Sequence, residues 1–409
     1  MHAKKKETQR QKKVRKKVTK KAVSKKDSSS EKAKKSIGLS TENNNFPIVG
    51  IGSSAGGLEA LELFFSNLPP ETNMAFVIIQ HISPRHKSIM AEILMKYTQM
   101  KVLAIQEGKE IKPNCVYLNP PDKNVVILNR RLYLTEPTQS HAVNLPIDCF
   151  FRSLSEDQGE KAICIILSGT ATDGTLGLKA IKGEGGIAMV QQPDSAKYSG
   201  MPNSAIATGL VDFILPVEKI PAELIKYVQH PYIERHDTIE TTKQQFKNFV
   251  QKILVLIRTN TGHDFANYKQ TTIHRRIERR MAVHQLDKIE QYATYLKKKP
   301  AEIGILFKDL LIGVTNFFRD ADAFEILKSK VIPELIKNKE SENPLRIWIA
   351  GCATGEEAYS IAILVAEVMD ELRKQPNIQI FASDIDNEAL DFARMAVYPD
   401  SIAADVSSQ

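Results

Sequence analysis

Between Phe46 and Val228 short, unbroken apolar runs recur with helix-like segments between them: Ile48-Val49-Gly50-Ile51, Phe76-Val77-Ile78-Ile79, Ile163-Cys164-Ile165-Ile166-Leu167 and Ile187-Ala188-Met189-Val190. A half-exposed strand alternates apolar with polar residues, whereas a continuous β-branched run suits a parallel sheet covered on both faces. The pattern predicts an α/β fold with a doubly wound, Rossmann-like parallel sheet over residues 46–230. It lapses at His230-Pro231, which suggests a linker over 231–239, and then turns helical at period 3.6 with no strand-like run. A small all-α domain is therefore expected over 240–337. At Leu345-Arg346-Ile347-Trp348-Ile349-Ala350 a strand returns, followed by a glycine loop, a helix through about Arg373 and the run Ile378-Gln379-Ile380-Phe381-Ala382-Ser383. This reads as the start of a second Rossmann-like α/β sheet, over 338–409, and no internal repeat links it to the first.

A chain of 409 residues allows two or three such domains, and 42% hydrophobic with 25% charged residues is a globular composition. No apolar run approaches the roughly 20 residues of a membrane helix, so no transmembrane segment is expected. Cys115, Cys149, Cys164 and Cys352 are scattered, without the paired spacing of a metal site or a disulfide framework, which favours a reducing cytoplasm and no metal. The net charge of +8 is local: residues 1–37 hold 16 Lys/Arg against three acids, so the rest of the chain is mildly acidic. No specific nucleic-acid partner follows from that balance. Residues 1–45 are expected to be a disordered basic tail, either an electrostatic tether to nucleic acid or anionic membrane or a solubilising extension.

The first strand ends in Gly52-Ser53-Ser54-Ala55-Gly56-Gly57 and runs into a helix. Small residues allow a sharp turn that holds one hydroxyl above the sheet edge, near a helix N-terminus. Gly50 to Ala55 also satisfies the GxGxxA pattern of dinucleotide-binding loops, which needs an acid at the end of the second strand to hold the ribose. That strand ends Gln80-His81 instead. His81 alone is an ordinary loop histidine, but a third strand ends Leu167-Ser168-Gly169-Thr170-Ala171-Thr172-Asp173-Gly174, which puts a carboxylate at another carboxyl edge. Ser54, His81 and Asp173 on three strand ends supply a nucleophile, a general base and an orienting acid in the order Ser, His, Asp. The α/β-hydrolase fold uses a different order.

Those three motifs resemble the CheB-type chemotaxis protein-glutamate methylesterase. Asn119-Pro120-Pro121-Asp122, Asp148 with Phe151-Arg152-Ser153-Leu154, and Gly200-Met201-Pro202-Asn203-Ser204-Ala205 agree with that family in order. The resemblance implies hydrolysis of γ-glutamyl methyl esters and deamidation of glutamines on methyl-accepting receptors, without a cofactor. It makes Ser54 the nucleophile, His81 the base, Asp173 the orienting acid and the backbone around Thr170 an oxyanion donor. It also implies receptor helices, and the sensor-kinase complex in which they signal, as partners in a chemotaxis phosphorelay. A methionine common in the family stands as Thr170 here, and a threonine as Ala55. Stand-alone members of the family carry an N-terminal phospho-receiver domain where this chain has its basic tail, so phosphorylation control in cis is not expected.

Thr271-Thr272-Ile273-His274-Arg275-Arg276-Ile277-Glu278-Arg279-Arg280 reads as a basic helix. It is either a solvated face with an Arg275–Glu278 ion pair or a docking face for acidic receptor helices. Gly351 to Glu357 has the form of a cofactor loop, and the next strand ends in Ser383-Asp384-Ile385-Asp386, an acid suited to ribose hydroxyls. With Thr315 to Arg319 these segments resemble the CheR-type protein-glutamate methyltransferase, whose donor is S-adenosylmethionine. The resemblance implies that Thr315, Arg319, Glu357 and Asp384 contact the cofactor, with Arg319 near its carboxylate or the acceptor glutamate, and Glu356 interchangeable with Glu357. Only two strands of that sheet precede Gln409, so a truncated transferase, with methyl transfer lost unless the missing half is supplied, is the expectation. Non-catalytic scaffolding and nucleotide binding through Gly50 to Ala55 are the rival functions.

Overall fold

The computed structural model describes residues 46–81, 90–137, 144–230, 243–311, 313–337 and 344–406. The basic tail and the 231–239 linker lie outside the described residues. From Phe46 onward the chain is one contact unit.

The first region is a seven-stranded sheet built from β1 (Ile48–Ser53), β2 (Ala75–Gln80), β3 (Lys101–Ala104), β5 (Cys115–Leu118), β8 (Ile163–Ile166), β9 (Ile187–Gln191) and β10 (Phe213–Leu215). The order across the sheet is β10-β9-β8-β1-β2-β5-β3 and every pairing is parallel. The strand order reverses at β1, which lies between β2 and β8. The carboxyl end of such a switch point is where doubly wound sheets collect ligands. Beside it lies a three-stranded antiparallel sheet, β4 (Lys109–Glu110), β7 (Arg131–Thr135) and β6 (Asn124–Leu128).

The apolar runs are buried on both faces. On one face Val49, Ile51, Phe76 and Ile165 pack with α1 (Gly57–Ser66) and α6 (Ile220–Val228). On the other, Ile48, Val77, Ile79 and Ile166 pack with α3 (Pro146–Gln158), α4 (Thr175–Glu184) and α5 (Gly200–Ala207). Gly50 and Gly52 let α3 lie directly on β1: a Cβ at Gly50 would meet Phe151 at 2.9 Å, and one at Gly52 would meet Ile147 at 2.5 Å. Glycines that match a nucleotide fingerprint thus have a packing role, and they bring the N-terminus of α3 up to the carboxyl edge of the sheet.

The second region is all-helical. Helices α7 (Lys243–Thr261), α8 (Gln270–Val283), α9 (Ile289–Lys298) and α10 (Pro300–Leu311) share a core that includes Ile253, Ile277, Tyr292 and Leu306. In the third, β11 (Leu345–Ala350) pairs parallel to β12 (Ile378–Ser383), and α13 (Glu356–Leu372) packs on α12 (Ile332–Lys337) through Val365, Val368 and Ile336. Trp348 and Phe381 on the two strands are exposed.

The basic helix overturns both expectations drawn for it. In α8, Arg276, Arg279 and Arg280 are buried rather than solvated or open for docking. Arg279 pairs with Asp212 of the first region and Asp309 of α10, and its Nε donates to the Gly186 carbonyl at 3.2 Å. Lys182 Nζ reaches both oxygens of Asp212 at 2.8 Å. Arg276 donates to the carbonyls of Lys182 and Gly183 at 3.3 and 2.9 Å, capping the last turn of α4, where the helix dipole favours a cation. Arg280 grips Glu302 with two bonds of 2.7 Å inside the helical region. Arg275 pairs not with Glu278 but with Glu160, at 3.6 Å. The cause is tertiary: acids of distant segments are buried opposite α8, and a buried charge must be paired. Two further ion pairs join the first and third regions, Arg152 to Asp405 at 2.9 Å and Lys179 to Glu356 at 3.6 Å.

Candidate active site

Ser54, His81 and Asp173 follow three adjacent strands, β1, β2 and β8. In the register Ser53 stands opposite Gln80 and Gly52 opposite Ile166, so Ser54 and His81 leave the sheet at the same level and the Leu167 to Asp173 loop leaves beside them. Gly56, at φ 70°, lets β1 turn into α1. Ser54 is held there by its own N–H donating to the Ser168 carbonyl at 3.0 Å and by the Gly57 N–H donating to its carbonyl at 2.9 Å. Ser168, buried, fastens the turn through its hydroxyl, which donates to Ala55 O at 2.9 Å and accepts from the Tyr198 N–H at 3.0 Å.

The side chains form a continuous hydrogen-bonded series. Ser54 Oγ lies 3.1 Å from His81 Nδ1, and His81 Nε2 lies 2.8 Å from Asp173 Oδ2. The imidazole is about one-third exposed and Asp173 only 1%. Both Asp173 oxygens also accept from the first turn of α3: the Ile147 N–H to Oδ2 at 3.1 Å and the Asp148 N–H to Oδ1 at 2.9 Å. Both Asp173 oxygens thus serve as hydrogen-bond acceptors. Nε2 of a neutral imidazole must then carry the hydrogen, which leaves the Nδ1 lone pair facing the Ser54 hydroxyl. Asp148 is buried beside it; its Oδ1 accepts from the Gly177 N–H at 2.7 Å and its Oδ2 has no partner among the described residues. Burial first, and the neighbouring Asp173 second, push the Asp148 carboxyl well above its ordinary range.

Gly169 lies against the serine, since a Cβ on it would stand 3.0 Å from Ser54 Cβ and 2.1 Å from Met201 Sδ. Its N–H is taken by the Tyr198 carbonyl at 3.0 Å, whereas the N–H groups of Thr170 and Ala171 meet no acceptor among the described residues. Ala171, at φ 64°, turns the loop toward Asp173. The arrangement can move a proton from a hydroxyl to an imidazole beside unspent backbone donors.

Between the helical and third regions lies a cavity of about 890 Å³ whose lining includes Thr315, Arg319, Glu357 and Asp384. The structure brings these four residues together and leaves Glu356 out: it is buried, accepts from Thr354 Oγ1 at 2.5 Å and faces Lys179. Asp384 shapes the loop, accepting from the Ala353 N–H at 2.8 Å and the Asp386 N–H at 2.9 Å. Arg319 Nη1 donates to the Val314 carbonyl at 2.8 Å. Gly351 has φ 75° and open space where a Cβ would project, so a ligand can approach its backbone. A cation, two carboxylates and an open glycine loop around that volume fit a zwitterionic nucleoside such as S-adenosylmethionine.

The described regions are similar to known proteins. The family model described as CheB methylesterase matches residues 49–224. A relative from Leptospira interrogans, described as a putative protein-glutamate methylesterase/protein-glutamine glutaminase, is 35% identical over 192 residues, which are 47% of this chain and 100% of the relative. The chain belongs to the CheB methylesterase family. Its methylesterase region is followed by matches to the CheR methyltransferase all-alpha domain at residues 249–311 and the CheR methyltransferase SAM-binding domain at residues 313–409. An uncharacterized 104.1 kDa protein of Rhodobacter capsulatus is 34% identical over 337 residues, 78% of this chain and 35% of that protein, so the chain spans about a third of that relative's length. The solved CheB methylesterase catalytic domain of Thermotoga maritima is 31% identical, covers 44% of this chain and 98% of its own, and superposes with a TM-score of 0.42.

Sequence reasoning passed over the supports of the site. Ser168 lies inside the Leu167–Gly174 motif, where the signal in the sequence is a hydroxyl that ends an apolar run beside a glycine. Gln80 entered only as the residue that lacks a nucleotide-binding acid, yet its Nε2 reaches the Ser54 carbonyl at 3.4 Å.

Proposed function

We propose that the chain hydrolyses γ-glutamyl methyl esters of methyl-accepting receptors. Ser54 Oγ attacks the ester carbonyl carbon and its proton passes to His81 Nδ1. Asp173 holds the imidazole through Nε2–H and stabilises the imidazolium. The tetrahedral oxyanion is received by the N–H groups of Thr170 and Ala171. His81 then protonates the departing methoxide, methanol leaves, and a water activated by the same nitrogen hydrolyses the glutamyl-serine ester. A glutamine side chain would follow the same course with ammonia as the leaving group. The observation that carries this reading is the unbroken Ser54–His81–Asp173 series at three adjacent strand ends. The cytoplasm, where such receptors are methylated, is the compartment that fits.

The third region is proposed to bind S-adenosylmethionine, with Arg319 toward a carboxylate and Glu357, Asp384 and Thr315 toward amino and hydroxyl groups. When bound, that cofactor supplies an electrophilic methyl group. Glu357 rather than Glu356 lines the cavity, so Glu357 is the acid assigned to the ligand.

The deciding experiment is methanol release from methylated receptor fragments by the full chain and by Ser54→Ala. The variant is expected to lose activity by about 10³-fold or more. Equal release from both would remove Ser54 as nucleophile. No release from either, with receptor binding retained, would favour a scaffold.

A further inference from the structure

We infer that Asn119 is a positioning residue for His81, its side-chain amide replacing a strand partner that the sequence deletes. The inference rests on the esterase reading above. The parallel ladder between β2 and β5 runs as far as Ile78 opposite Leu118, and the Asn119 N–H extends it by donating to the Ile78 carbonyl at 3.3 Å. The next pairing would have to serve Gln80, the residue just before His81. The chain beyond Asn119 is Pro120-Pro121, which has no N–H to give. Asn119 itself closes the gap. Its Oδ1 accepts from the Gln80 N–H at 2.9 Å and its Nδ2 donates to the Gln80 carbonyl at 3.0 Å.

A primary amide offers one acceptor and two donors on a planar group, so it reproduces both main-chain bonds that a further strand residue would make. Asn119 is 7% exposed, and its second amide hydrogen reaches the Pro120 carbonyl at 3.4 Å. Gln80 is therefore fixed on the β5 side by Asn119, while its own side chain reaches the Ser54 carbonyl. This matters because His81 must satisfy two directions at once, Nδ1 to Ser54 and Nε2 to Asp173. A ring held from both nitrogens has little freedom to absorb a displaced backbone.

The test uses the full chain and a peptide carrying a glutamate γ-methyl ester, with Ser54→Ala, Asn119→Ala and Asn119→Asp. Asn119→Ala is expected to lower kcat about 100-fold, the effect of a displacement of roughly 1 Å at a catalytic group, with KM unchanged. Asn119→Asp supplies a readout that a merely structural role would not move. A neutral carboxyl accepts and donates as the amide does, whereas an ionised one sets a lone pair against the Gln80 carbonyl. The ratio of its kcat to that of the parent should rise as pH falls. A folded Asn119→Ala with parental kcat overturns the inference. If Asn119→Ala does not fold, a pH-independent ratio for Asn119→Asp overturns it. Activity surviving in Ser54→Ala would instead sink the esterase reading, and this inference with it.

Discussion

Replacing Arg279 by methionine tests whether the charges between the first and helical regions hold them together. Arg279 is 1% exposed and contacts Asp212, Asp309 and the Gly186 carbonyl. After Arg279→Met, Asp212 keeps Lys182 and the Ala188 N–H, at 2.8 and 3.0 Å. Asp309 keeps no ion-pair partner among the described residues. Removing one member of a buried pair costs about 3–5 kcal/mol, because the remaining charge stays desolvated and unpaired. Urea unfolding at neutral pH, followed by circular dichroism, should show a loss of that size. Arg275→Met on the same helix breaks a partly exposed pair with Glu160, 3.6 Å long, and should cost no more than about 1 kcal/mol. Adding Asp309→Asn to Arg279→Met removes the orphaned charge, so the double variant should be less destabilised than the sum of the singles by about 1 kcal/mol or more. An Arg279→Met protein within about 1 kcal/mol of the parent, or strict additivity with Asp309→Asn, would show that the paired charges are spectators of a seam held by apolar contacts.

Three further outcomes are expected. Asp173→Asn cannot accept from the α3 N–H groups and from His81 with both of its terminal atoms, so kcat should fall by about 10⁴-fold in a folded protein; a parental rate would remove the carboxylate from the proton path. Gly169→Ala puts a methyl against Met201 and Ser54, so methanol release should drop by about 100-fold or more while stability falls by about 1–3 kcal/mol; unchanged kinetics would mean that the loop yields without moving the nucleophile. Burial, with Glu160 adding to it, pushes the Glu278 carboxyl from 4.5 up to about 7. The folded chain then holds this proton where the unfolded chain has released it, so the stabilisation is full below about pH 4.5 and is lost as pH rises to about 7. Glu278→Gln should flatten that part of the urea-midpoint profile, and an unaltered slope would refute the assignment.

Some of this architecture is legible in the sequence because local and tertiary demands coincide. Ile48 to Ile51, Phe76 to Ile79 and Ile163 to Leu167 are apolar without interruption, and each is a central strand buried on both faces. The small or polar residues that end those runs mark the carboxyl edge, which is why Ser54, His81 and Asp173 can be singled out one at a time. That they meet depends on β8, β1 and β2 being neighbours, and strand order is a property of the packed sheet that no single run carries. The short strands β3 to β7 escape notice for a simpler reason. Segments such as Lys109–Glu110 and Lys101–Ala104 are too brief to show a period, and their pairing is decided by partners elsewhere.

The arginines of α8 explain the largest misreading. Arg276, Arg279, Arg280 and Val283 follow one another at helical spacing, the pattern that marks a buried stripe when its members are apolar. With arginine in three of the four places, the same stripe reads as a solvated or docking face, since a lone helix cannot offset the desolvation of so much charge. The offset comes from Asp212, Asp309, Glu302 and the last carbonyls of α4, all outside the helix. A guanidinium suits such a seam because its planar donors bond several acceptors at once, whereas lysine presents a compact, strongly hydrated charge. These three side chains are thus committed to intramolecular acids and carbonyls, and an acidic receptor helix would have to displace those partners before it could use them.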